Sequence, residues 1–151
     1  MQPKTMRKRK FLSMAALMLC SALTSAGALQ IREGFVREMP PGQSTSAAFM
    51  DIVNSSDRPV AIVAAICDAA QTTELHTHRH VDGAMRMELV RRLVIPVHGQ
   101  VRLASGGYHL MLINLKRSLH AGESVNVTLL DEEGKAYTAR LPVVKMLGAV
   151  Q

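Results

Sequence analysis

Thioether and imidazole side chains recur in this chain at spacings that gather them on one side of an extended backbone. Residues two apart on a strand share a face. His109 and Met111, within Gly106-Gly107-Tyr108-His109-Leu110-Met111-Leu112, therefore stand side by side, while Leu110 and Leu112 turn the other way into a core. Met85 and Met87 share a face in the same manner, as do His76, His78 and His80. Thioether sulfur is a soft, neutral donor. Combined with imidazole it suits Cu(I) and discriminates against harder divalent ions. Thiolates bind Cu(I) as well, but exposed thiols oxidise in an oxidising compartment. A methionine–histidine set can hold copper there without forming disulfides. Other residues of the same types read differently. Met39, Met50 and Met146 fit gap-filling in a core, and His98 and His120 fit solvated loops beside Gly99 and Ala121-Gly122.

The 151 residues suffice for one domain once a leader is set aside. Lys4, Arg7, Lys8, Arg9 and Lys10 form a basic segment, and Phe11 to Leu23 forms an apolar one. That run falls short of the roughly 20 residues a membrane span needs. With Ala26-Gly27-Ala28 as an A-x-A cleavage site, residues 1–28 read as a secretory signal peptide. The mature chain, 29–151, is then expected in the periplasm, without stable membrane insertion. Cys20 raises lipid attachment, but Leu19 precedes it where lipidation takes a small residue. The net charge of +6 belongs mostly to the leader, because five of the 18 basic residues lie there and 13 remain against 12 acidic ones. With no Trp, two Tyr and three Phe, the chain offers neither a basic stripe nor stacking platforms, so nucleic acid is not an expected partner. Cys67 is the single cysteine beyond the leader and sits in an apolar run, where it reads as a buried core residue.

The elements that must position the metal-binding types read as strands. Short apolar or alternating segments are Ala47–Val53, Val60–Cys67, Thr72–Val81, Ala84–Val90, Leu93–Val97, Gln100–Leu103, Tyr108–Leu115, Ser124–Leu130 and Lys135–Val144. Asp82-Gly83 is a hairpin-type turn, and Asp131 to Gly134 closes a final hairpin, its charges read as a tip and nothing more. About eight strands with short turns predict an all-β domain, a β-sandwich or Greek-key barrel.

At this point the sequence resembles the periplasmic copper chaperones with the PCu(A)C domain. Their signature is a histidine, ten residues, a methionine, twenty-one residues, then His-x-Met. His76, Met87, His109 and Met111 match all four positions. For a motif fixed in advance, chance agreement at this composition is on the order of one in a thousand. The text around Gly106–Leu112 and Leu115–Leu119 agrees, as does Pro40-Pro41-Gly42, and the resemblance runs from about Phe35 to Val144. Thr77 stands where members often carry methionine, and His78 and His80 are additional. The resemblance implies a cupredoxin-like Greek-key β-sandwich and a monomer. It implies Cu(I) held at a surface site by His76, Met87, His109 and Met111, and transfer to a respiratory oxidase copper centre or its assembly factors, with no catalysis. His78, His80 and Met85 are candidate accessory ligands, with Cu(II) binding expected at the extra imidazoles. Copper storage is the near alternative. A zinc enzyme built on His76, His78 and His80 with Glu74 as acid–base partner is a further one, and it leaves Met87, His109 and Met111 unexplained.

Overall fold

Period-two alternation of apolar residues decides the architecture, because each strand can bury one face only. The computed structural model describes residues 27–145. The leader up to position 26, with Cys20, and Met146 lie outside the described residues. Ten strands form: β1 Leu29–Arg37, β2 Thr45–Asn54, β3 Val60–Cys67, β4 Ala70–Val81, β5 Ala84–Leu89, β6 Leu93–Ile95, β7 Gln100–Leu103, β8 His109–Leu115, β9 Ser124–Asp131 and β10 Ala136–Val144. They hydrogen-bond in the order β5-β4-β8-β2-β1-β10-β9-β3-β6, with β7 also on β2. β2 serves two neighbours in turn: its first half pairs with β8 and its second half with β7. A short parallel contact, Val36 with Val143 and Arg37 with Val144, links the β5-to-β1 layer to β10-β9-β3-β6. Ile52, Leu110 and Leu112 from one layer and Val125, Val127 and Leu129 from the other belong to one buried cluster.

Ten strands replace the expected eight or so, and the main addition is β1. Its alternation is broken by a bulge, which hides it from a period-two reading. Arg32 pairs with Asp51 and Phe35 with Phe49, so Glu33 and Gly34 together face Met50 alone. Glu33 takes a left-handed φ of 48°. A β-carbon at Gly34 would overlap the Leu141 side chain, so this position needs glycine for close approach. One extra residue reverses the strand's parity. Before the bulge Leu29 packs into the core; after it Val36 does, and Phe35 and Arg37 turn to the outer face.

Two smaller corrections concern polarity. Val63 and Ile66 of the apolar β3 run are exposed. Asp131 is not part of a solvated tip: it is buried, and its carboxylate accepts from the backbone N–H groups of Glu133 and Lys135 and from the Tyr137 hydroxyl. Cys67 is buried in the core, where burial pushes its thiol pKa up.

Candidate metal centre

The outer face of the first layer gathers the methionines and histidines. β4 and β5 meet across Asp82-Gly83, whose φ values of 52° and 78° are those of a tight two-residue hairpin turn. That turn fixes the register: His80 opposes Met85, His78 opposes Met87 and His76 opposes Leu89. On the other edge of β4, His76 opposes His109 and Glu74 opposes Met111. Met111 opposes Ala47 on β2. Directly opposed residues in an antiparallel pair share a face, so all these side chains point the same way.

At the centre lies an open cup of about 250 Å³, lined among others by His78, Met87, His109, Met111, Phe49 and Arg37. His109 forms its floor and is 3% exposed. Its Nδ1 lies 2.9 Å from the Gly107 carbonyl oxygen. A carbonyl only accepts, so Nδ1–H donates and Nε2 keeps a free lone pair. Burial is the main cause that lowers the His109 pKa; His78, His76 and Arg37 act in the same direction and the Gly107 bond opposes them. The ring is therefore neutral at pH 7, the form that ligates a metal.

His78 stacks on His109, ring centres 5.0 Å apart and 25° between planes. The His76 ring centre stands 6.1 Å from that of His109. The His76 Nε2 is 2.8 Å from a Glu74 carboxylate oxygen, which can only accept. Nε2 thus carries a proton, and in the neutral tautomer Nδ1 is the nitrogen with the lone pair. The Nδ1 atoms of both His76 and His78 are buried without a hydrogen-bond partner. Buried polar atoms are seldom left so, and both flank the ring with the free Nε2. This donor set of neutral nitrogen and thioether sulfur fits a soft, monovalent ion.

The four spaced residues are thus brought to one face, but not equally. Met87, His109 and Met111 line the cup, whereas His76 sits at its margin, turned toward Glu74. His78 occupies the inner position instead. The expected accessory group divides: His78 belongs to the cup, and exposed His80 and Met85 pair near the hairpin tip. Along β4, His76 and His80 are four residues apart, roughly 13 Å at about 3.3 Å per residue. They form a row and not a cage. Among the described residues no three His, Cys, Asp or Glu side chains converge to hold an ion by themselves; the set closes only when thioethers are counted. Arg37 and Phe49 are missing from the sequence reading, because their place on this face depends on the β1 bulge and on β2–β8 pairing.

Comparison with known proteins agrees with this architecture. The sequence profile of the family described as "Putative lipoprotein LpqE-like" matches residues 29–143. The "Putative lipoprotein Lxx21020" of Leifsonia xyli subsp. xyli (strain CTCB07) is 32% identical over 125 residues, 82% of this chain and 74% of that protein. The solution structure of Cu(I)-bound DR1885 from Deinococcus radiodurans is 35% identical, with a TM-score of 0.64 over 82% of this chain and 85% of that one. Its apo form covers 97% of this chain and 98% of that one at 32% identity and a TM-score of 0.63. The copper-bound PCuAC domain from PmoF2 superposes with a TM-score of 0.65 at 21% identity, over 79% of this chain and 94% of that domain, a likeness of fold. The fold is the cupredoxin-like all-β sandwich.

Proposed function

The chain belongs to the LpqE-like lipoprotein family, and we propose that this member is a copper carrier of the cell envelope, binding Cu(I) with His76, Met87, His109 and Met111 and passing it to a copper-accepting protein. One observation carries the reading: Met87 and Met111, from two different strands, line one cup with His109, whose Nε2 is free, and His76 stands on the same face at its margin. The Deinococcus relative is known in a Cu(I)-bound form, which supports the choice of ion. The proposed activity is binding and transfer without catalysis. A copper-receiving subunit or assembly factor of a respiratory oxidase is the proposed acceptor, and storage is the rival. Mixing the loaded protein with candidate apo-acceptors separates them, since a store keeps its copper.

Met87→Leu and Met111→Leu test the ligand set. Each keeps side-chain volume and removes the sulfur, so apo stability should fall by less than about 1.5 kcal/mol while Cu(I) affinity collapses in competition with a Cu(I) chelator. Parent-like affinity in both variants would falsify the assignment.

The inner position of His78 favours a second capacity. Its ring stacks on His109 inside the cup, so two imidazoles stand together there, and imidazole suits Cu(II). His78→Ala should weaken Cu(II) binding, whereas His80→Ala at the hairpin tip should leave it unchanged; the reverse outcome would move the Cu(II) donors to the tip.

For location, we propose residues 1–28 as an export signal and 29–151 as the periplasmic chain. Sequencing the N-terminus and weighing the exported protein tests this: a start near Leu29 supports it, and a lipid-modified Cys20 at the N-terminus overturns it.

A further inference from the structure

We propose that Arg37 is an anion-docking point beside the cup, placed to receive the thiolate of the molecule that takes the copper away. The inference rests on the copper reading above. Arg37 lines the cup with His78, Met87, His109 and Met111. Its guanidinium carbon lies 5.4 Å from the centre of the Phe49 ring, a cation–π contact that holds the head group in place. Phe49 in turn lies 6.5 Å from the His109 ring, so one aromatic side chain spaces the cation from the floor of the cup. Among the described residues Arg37 has no carboxylate partner, and its Nε is buried without a hydrogen bond. Glu74, a carboxylate on the same face, is engaged by His76. Arg37 as a whole is half-buried, and a buried N–H left without an acceptor is uncommon.

For a site made only to hold copper, this arrangement is counterproductive. The donors are neutral, so bound Cu(I) keeps its charge of +1 with a second cation nearby. Two unit charges with one aromatic ring between them, at an effective dielectric near 20, repel enough to weaken binding about tenfold. For a site that must surrender copper, the same cation is useful. An incoming thiolate is attracted by the guanidinium and, once seated, its single negative charge reduces the repulsion between Cu(I) and the guanidinium. The exchange balances without redox change. The acceptor's S–H proton leaves to solvent, a Cu–thiolate bond forms, and a Cu–thioether bond breaks. Met87 is 46% exposed and its bond is the accessible one to break. A neutral thioether or imidazole acceptor would gain nothing from Arg37, which makes the expected partner a cysteine-bearing one.

The test compares the parent protein, Arg37→Gln and Arg37→Lys, all loaded with Cu(I). Two readouts are taken: equilibrium affinity by chelator competition, and stopped-flow removal of copper by mercaptoethanol as a thiolate or by an N-acetylmethionine ester as a neutral thioether. Arg37→Gln should bind Cu(I) about tenfold more tightly and lower the ratio of thiolate to thioether removal rates about tenfold. Arg37→Lys, which keeps the charge, should restore the ratio. In the parent, added salt should shrink the ratio by screening. An unchanged ratio in Arg37→Gln overturns the proposal, as does a thioether rate that depends on Arg37 as strongly as the thiolate rate. Should Arg37→Gln fail to fold, the salt series in the parent decides, and a ratio insensitive to salt rejects the idea. A parent that binds no Cu(I) would bring down the copper reading itself, and this inference with it.

Discussion

His109 couples the cup to the fold, because the same ring offers Nε2 outward and ties Nδ1 to the Gly107 carbonyl. Truncating it removes a proposed ligand, orphans that carbonyl and leaves a void beneath His78. His109→Ala should therefore abolish Cu(I) binding and also cost about 1–3 kcal/mol of apo stability. Met87→Leu, at an exposed position, should abolish binding with little effect on stability. Thermal unfolding of the two apo variants checks the contrast, and equal losses would mean that the ring is not anchored as described. Tyr137 makes a second residue-scale case. Burial, then the Asp131 carboxylate that accepts from its hydroxyl, pushes its pKa up from 10.0 to about 12. A pKa raised on folding stabilises the folded state below the unfolded value, and that contribution is lost as pH rises through the folded one. Tyr137→Phe should flatten the fall in stability between about pH 10 and 12, and cost about 1–2 kcal/mol at neutral pH. A denaturation series across that range is the measurement, and an alkaline branch as steep as the parent's would count against the bond.

Among the elements, the β4–β5 hairpin carries Met87 to the cup, and its turn sets which residues meet. Gly83 has φ +78° and open space around it, so Gly83→Val strains only the backbone, by about 1–2 kcal/mol. The expected result is a loosened β5 and weaker Cu(I) binding, with the β8 side of the cup intact. Amide exchange should rise in β5 and stay low in β8, and uniform protection across both strands would show that the turn does not govern the hairpin. The same turn shows what the sequence made legible. Alternation gave strands β4, β5 and β8 and put the histidines and methionines on one face. Asp82-Gly83 as a two-residue turn already pairs Val81 with Ala84, and counting back from it sets His78, not His76, opposite Met87. That signal was present, but motif spacing alone does not use it. No comparable signal announced β1. A bulge erases the two-residue period at Glu33-Gly34, and Arg37 and Phe49 reach the cup by pairings between segments distant in sequence. The buried role of Asp131 was hidden too, since a charged residue at a hairpin looks solvated until its three donors are known.

For the molecule as a whole, a ligand that binds only the folded chain raises its stability by mass action. At free Cu(I) one hundred times the dissociation constant, the gain is about 2.7 kcal/mol. The melting temperature of the parent should therefore climb with Cu(I) supplied under reducing conditions, and that of Met111→Leu should not. A rise of the same size in both would place the stabilising ion elsewhere. The β1 bulge has a consequence on a longer timescale. It works like a shift of reading frame within one strand: odd-numbered residues face the core before it and even-numbered ones after it. Losing Glu33 alone would leave Gly34 opposite Met50 in an unbroken alternation, with Val36 still inward and Arg37 still at the cup. A single loss well before the bulge has no such slack and turns the residues on one side of it over. Over evolutionary time β1 should thus accept a one-residue loss at the bulge far more readily than one near its start, and a library of single deletions along the strand, selected for folded protein, would reveal that position dependence directly.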